Sequence, residues 1–234
     1  MKEEKRLESI VVKVADFGES DKIVTLLTAD EGKRVIKIRG VRKAGSKLRY
    51  AAQPFLHATY ILSPTKANYV LVGCDTLDRF PNIPLNLGSY YVAAFVCETA
   101  SALSAEGFPD EDLFRFILST LKTLNDEDID DYPYFALLFL RDALMVAGHG
   151  LNEEFKESDI FFSYENGGLV SQKTPYCVRL TPLTAKALTD LLRGEKPARS
   201  KYAELLELLV GYFNVNVQKK LYSHEEIVKM MDLL

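Results

Sequence analysis

Histidine and cysteine are scarce, at three of each in 234 residues. Cys74, Cys97 and Cys177 are odd in number and far apart. That spacing excludes a disulfide framework and a Cys-x-x-Cys metal pair, and leaves them as small buried hydrophobes. His57, His149 and His224 fall in an expected strand, at an expected helix end and in the first turn of an expected helix. None has a Cys, Asp or Glu at ligand spacing, so each is given a structural or surface role. Also missing are GxSxG, HExxH, the Walker A loop and GxGxxG, so no catalytic centre and no cofactor site is expected. The acids of residues 126–131 lack EF-hand spacing and read as a solvated loop. No apolar run approaches the ~20 residues that span a bilayer. The opening segment MKEEKRLES carries no signal-peptide core, so the chain is expected to be cytoplasmic, with no membrane partner.

Charge is present in an uneven way. The chain as a whole is at −4. Residues 1–79 hold 15 Lys and Arg against 10 Asp and Glu, or +5, whereas residues 80–234 hold 14 against 23, or −9. Halves of opposite sign suggest two domains with different partners. Within the first half, GKRVIKIRGVRKAGSKLR (residues 32–49) holds eight basic residues and no acid: Lys33, Arg34, Lys37, Arg39, Arg42, Lys43, Lys47 and Arg49.

The first third reads as β structure. Five short strands are expected at residues 9–16, 22–28, 33–40, 55–63 and 68–75, with turns at FGES, ADEG and SPTKAN. Five strands in so short a span suit a small closed barrel, because closure removes exposed edges. At RFPNIPLN two prolines mark a linker, and helical spacing follows. Helices are expected at 87–103, from the acidic start PDEDLF near residue 109, at 133–147, 184–192, 202–220 and 224–233. The almost wholly apolar PYFALLFLRDALMVA is the expected buried central helix. ENGG at 165–168 is a hairpin turn in a small β insertion. The fold class is therefore α+β: a five-stranded barrel over 1–80, then a helical domain over 81–234 with a β-hairpin insertion near 158–180.

In residues 33–40, Ile36 and Ile38 alternate with Lys37 and Arg39, so one side of this strand faces a core and the other is charged. A solvated charged edge is one explanation. Eight like charges in eighteen residues repel one another, however, and a polyanion relieves that repulsion. In oligonucleotide-binding barrels the ligand lies on the face of strands two and three. Arg34, Lys37, Arg39, Arg42, Lys43, Lys47 and Arg49 are the candidate phosphate contacts. Phe17, Tyr60 and Tyr69 are each either a base-stacking platform or part of the barrel's core or rim. Backbone contacts without base-reading side chains predict little sequence preference.

DFGESDKIVTLLT, the turn to GK, RGVRK, SKLR and QPF resemble the N-terminal signature of the bacterial RecO recombination mediators. The likeness is specific over residues 8–80 and continues more weakly through GHGL, ENGGLV and QKKLYSHEE. It implies an OB-fold followed by a helical domain, without a catalytic centre. It further implies binding to single- and double-stranded DNA and annealing of complementary strands. With RecR, such a protein loads RecA onto DNA coated by single-stranded DNA-binding protein, whose acidic C-terminal tail it also recognises; nucleoid association follows. An RNA-binding OB-fold protein, a non-catalytic scaffold and a nuclease are the competing classes.

Many relatives carry a four-cysteine zinc site around the hairpin, where this chain has only Cys177. One thiol cannot close a tetrahedral site, so zinc is not expected and the hairpin is expected to be held by Ile160, Phe161, Phe162 and Leu169. For the acidic tail, a groove with an apolar floor and basic rims is required. Arg141, Arg179, Lys186, Arg193, Lys196 and Arg199 are candidates, each otherwise an ordinary surface charge.

Overall fold

The computed structural model describes residues 4–65, 69–156 and 159–231. Asn68, Leu233, Ser158 and part of the SPTKAN turn, named above as element ends, lie outside the described residues. By compactness the chain falls into two units, Met1–Glu127 and Asp128–Leu234.

In the first unit, β1 (Lys5–Phe17), β2 (Asp21–Thr28), β3 (Gly32–Ile38), β4 (His57–Pro64) and β5 (Tyr69–Asp78) form an antiparallel sheet in the order β3-β2-β1-β4-β5. β1 starts four residues before its expected first residue, where Lys5, Arg6, Leu7 and Glu8 pair with β4. A bulge between Val11 and Lys13 lets β1 bend. The sheet curls until β3 and β5 approach each other, but no ladder joins them among the described residues. The barrel is therefore an OB-fold closed by side-chain packing at that seam. Leu7, Val11, Val24, Leu26, Ile36, Ile38, Tyr60 and Leu62 fill its core.

α1 (Leu87–Leu103) and α2 (Glu111–Asp126) belong to this unit. Asn86 and Asp110 cap them by accepting from Ser89 N and Leu113 N. α1 packs on β1 and β2, where the Cys97 thiol reaches the Val11 carbonyl at 3.9 Å. Burial pushes that thiol up to about 12, so Cys97 stays protonated and packs as a hydrophobe. The loop between α1 and α2 covers the start of β3: Lys33 N donates to Ala105 O at 3.0 Å, and Gly107 N donates to Glu31 O at 3.1 Å. Gly32 makes this approach possible. It sits at φ +67°, and a Cβ there would lie 2.2 Å from the Phe108 carbonyl oxygen.

In the second unit, α3 (Tyr132–Val146) is the central helix, with Ala136, Leu137, Leu140, Ala143 and Leu144 fully buried. It packs against α5 (Tyr202–Val217), and α4 (Pro182–Leu192) and α6 (His224–Met231) complete the helical part. The β insertion is a three-stranded sheet where a hairpin was expected: β6 (Phe161–Ser163) lies between β7 (Gly168–Val170) and β8 (Cys177–Arg179). Phe162 and Leu169 are buried, and the Phe162 ring meets Tyr164 and Tyr212 edge-on. Of the four side chains expected to hold the insertion, Ile160 and Phe161 are only half-buried. No helix of the described residues is long and apolar enough to cross a membrane.

Candidate nucleic-acid interface

Strand parity decides which basic residues share a face. Val24 and Leu26 of β2 stand opposite Ile36 and Arg34 of β3, on the core side. Ile23 and Thr25 stand opposite Lys37 and Val35, on the outer side. Past the β1 bulge, Lys13 and Ala15 line up with Thr25 and Ile23, and Phe17 lines up with Asp21. The outer surface of β1, β2 and β3 thus presents Lys13, Ala15, Phe17, Ile23, Val35 and Lys37. Phe17 is 46% exposed and Val35 is 49% exposed. This is a mainly apolar sheet face with an exposed aromatic ring, two lysines and the single acid Asp21 among the residues named, and aromatic rings on such faces stack single-stranded nucleic acid.

Beyond β3 the chain runs through residues 39–48 without regular structure, then makes a short 3-10 turn at Arg49–Ala52. Both ends of this loop are fixed. At its start, Gly40 N donates to Asp21 Oδ1 at 2.8 Å, Arg42 N donates to Ser20 O at 2.9 Å, and Val41 is buried in the barrel core. At its end, the Tyr60 hydroxyl donates to Ala51 O, and the Tyr50 hydroxyl donates to Cys74 O, each at 2.5 Å. Such anchoring lowers the ordering cost of any ligand the loop receives.

The eight cations are not equivalent. Lys33 Nζ donates to Ser101 O at 2.9 Å. Arg34, on the core side at the barrel end, donates from Nε to Glu31 Oε2 at 2.7 Å, and Lys5 pairs with the same carboxylate. Lys37 pairs with Asp21 at 3.0 Å, and Arg42 with Asp16 at 3.4 Å and with the Gly18 carbonyl at 3.1 Å. Arg49 donates to the Lys43 carbonyl at 3.1 Å. Arg39, Lys43 and Lys47 are exposed and have no side-chain partner among the described residues. The run is therefore partly compensated in space: Asp16 and Asp21, flanking the β1–β2 turn, and Glu31 of the β2–β3 turn pair with three of the eight cations, Lys33 and Arg49 donate to carbonyls, and Arg39, Lys43 and Lys47 are left without a side-chain partner among the described residues.

The aromatic candidates separate in the same way. Phe17 is on the outer face, with the Lys37 ammonium 4.3 Å from its ring centre. Tyr69 is exposed near the start of β5, away from that face, with Lys5 Nζ 5.9 Å from its ring. Tyr60 is corrected outright. It is 0% exposed and its hydroxyl is bound, so it presents no ring to a base and serves as a core anchor of the loop. Lys13 is a residue that the sequence pattern did not bring forward. It is exposed and without a partner among the described residues, and the signal for it was the alternation of β1 after the bulge.

In the second unit, Arg193 lies over the Phe155 ring at 5.2 Å and, with Lys186, edges a groove of about 270 Å³ floored by Ile160, Leu169 and Ala185. Lys186 also pairs with Asp190. Arg141 is held by Asp142 and by the Leu191 carbonyl, and Lys196 by Asp131 at 2.9 Å. Burial pushes the Asp131 carboxyl up, and Lys196 with the Tyr134 N–H outweighs it, leaving the carboxyl below its ordinary value. Arg179 borders a different groove, beside β8 and α5. Arg199 is exposed and lines neither groove.

Cys177 Sγ donates to Thr174 O at 3.1 Å and accepts from Thr174 N at 3.2 Å. No group of three His, Cys, Asp or Glu among the described residues could hold a metal ion.

Family models for the N-terminal and C-terminal parts of recombination protein O match residues 1–80 and 84–225. A DNA repair protein RecO of Bacillus velezensis is 31% identical over 195 residues, covering 78% of this chain and 75% of its own length. The Bacillus subtilis protein of the same name is 30% identical over 195 residues, with the same coverage of 78% and 75%. That of Desulforamulus reducens is 25% identical over 243 residues, covering 94% of this chain and 92% of its own. With both halves of the chain matched in order, and an OB-fold followed by helices, this chain belongs to the RecO family of DNA repair proteins.

Proposed function

We propose that the chain acts in DNA repair and recombination by holding DNA on the outer face of β1–β3 and on the loop of residues 39–49. The observation that carries this reading is the set of three exposed cations, Arg39, Lys43 and Lys47, without a side-chain partner among the described residues, on an anchored loop beside the exposed Phe17 ring. Three cations on a short loop neutralise successive phosphates of a strand and release its counterions. Phe17 supplies a stacking surface that every base fits equally. No base edge is read, so the bases remain free to pair with a complementary strand, and annealing follows from neutralised strand repulsion. The chemistry is binding and positioning, with no bond made or broken.

Single- and double-stranded DNA are the ligands, RecR the protein partner, and RecA is loaded indirectly. The acidic tail of single-stranded DNA-binding protein would enter the groove lined by Lys156, Lys186 and Arg193, displacing the pairing of Lys186 with Asp190, with its apolar end against Ile160, Leu169 and Ala185. A strand-annealing assay, run with and without the coating protein, tests the whole reading. The Arg39→Ala/Lys43→Ala/Lys47→Ala variant should anneal bare strands poorly. Arg193→Glu should anneal bare strands like wild type and fail only on coated ones. A triple variant that anneals like wild type would remove the site, and tighter binding to RNA than to DNA at equal salt would favour an RNA ligand.

A further inference from the structure

We infer that Asp21, an acid on this basic face, is the positioning residue of the DNA site: it holds the cation-bearing loop in the shape that phosphates meet. The inference rests on the DNA-binding reading above and adds to it a residue whose charge has the wrong sign for DNA. Asp21 Oδ1 accepts from Gly40 N at 2.8 Å and from the Ser20 hydroxyl at 3.1 Å, while Oδ2 meets Lys37 Nζ at 3.0 Å. Gly40 is where the chain turns out of β3, at φ +64°. Arg39 precedes that turn, and Lys43 and Lys47 follow it. Two further bonds stitch the same two segments together, from Arg42 N to Ser20 O and from the Arg42 guanidinium to Gly18 O. The β1–β2 turn thus acts as a clasp on the loop, and the Asp21 carboxylate is the side-chain link at its pivot. The Gly40 N–H and then Lys37 hold that carboxyl down at about 2, so the clasp is ionised at neutral pH.

Charge alone predicts the opposite of a positioning role. An acid beside phosphates repels them, so any neutral residue at 21 should tighten binding to the same degree. Asp21→Asn and Asp21→Ala both delete the charge and both release Lys37, but only Asn keeps an oxygen for Gly40 N. Affinity for a fluorescein-labelled oligothymidylate at fixed salt, with Gly40 amide exchange read by NMR, separates the accounts. Asp21→Asn is expected to bind more tightly than wild type with Gly40 still protected. Asp21→Ala is expected to bind about fivefold more weakly than Asp21→Asn, because the loop must be ordered on binding, with Gly40 exchanging faster. Equal affinities for the two variants would overturn the inference. If Asp21→Ala does not fold by circular dichroism, Asp21→Leu, equally neutral and without an acceptor for Gly40 N, takes its place against Asp21→Asn, and equal affinities overturn the inference. The Arg39/Lys43/Lys47 triple variant separates the two levels. If it binds like wild type, the site itself is wrong; if it loses binding while the two Asp21 variants match, only the clasp is wrong.

Discussion

The Lys37 ammonium stands 4.3 Å from the centre of the Phe17 ring, and its other partner is the Asp21 carboxylate at 3.0 Å. One lysine therefore joins the aromatic platform of the outer face to the clasp of the loop. Phe17→Ala removes the platform without removing charge. It should cost about 1–3 kcal/mol of single-stranded DNA affinity and leave the salt dependence of binding unchanged. Fluorescence anisotropy at several salt concentrations measures both. Wild-type affinity in this variant would take Phe17 out of the site.

Tyr60 tests the opposite assignment. Its ring is in the barrel core, and its hydroxyl satisfies the Ala51 carbonyl at the end of the loop. Tyr60→Phe leaves the packing and unpairs that carbonyl, a loss of about 1–2 kcal/mol of stability. Urea unfolding should register this as a lower midpoint with an unchanged slope. Wild-type stability in this variant would mean that the hydroxyl does not anchor the end of the loop.

Asp131 caps α3 through Tyr134 N and pairs with Lys196. Because its folded carboxyl lies below the ordinary value, its contribution is present above the unfolded pKa and fades as pH falls through the folded one. Asp131→Ala should therefore destabilise by about 1 kcal/mol at neutral pH. The difference from wild type should narrow as the pH falls below about 4. Thermal melts across that range check it, and a pH-independent difference would mean the carboxylate charge contributes nothing.

The bonds between Cys177 and Thr174 stand where a metal would need a free thiolate. Elemental analysis of the purified protein should find zinc well below one ion per chain, and a chelator should leave the melting temperature unchanged. Stoichiometric zinc would contradict this account of the insertion.

Elements with a clean period were legible in the sequence. The α1 bounds 87–103 agree with the helix Leu87–Leu103, and Ile36 and Ile38 are core residues as their alternation required. What was hidden depended on residues distant in sequence. Asp16 and Asp21 neutralise Arg42 and Lys37 from more than fifteen residues back along the chain, and no count of charges along residues 32–49 contains them, whereas Glu31 stands only three residues before Arg34. The β1 bulge moved Lys13 to the outer face, which alternation counted from the start of the strand misses and alternation counted after the bulge recovers. Tyr60 alternates with Ala58 and Leu62 on the buried face of β4, so the period of that strand already pointed to the core, and its aromatic type alone suggested stacking. β8 is three residues long and pairs with β6 across a loop, too short for any periodic signal.

The proposed DNA site rests on phosphate contacts from Arg39, Lys43 and Lys47. The most direct measurement is the slope of log K against log salt for single-stranded DNA, in wild type and in the Arg39→Ala/Lys43→Ala/Lys47→Ala variant. Each cation that no longer neutralises a phosphate releases fewer counterions, so the triple variant should show a slope shallower by about 2, with weaker binding to every sequence alike. An unchanged slope in the triple variant would contradict the claim.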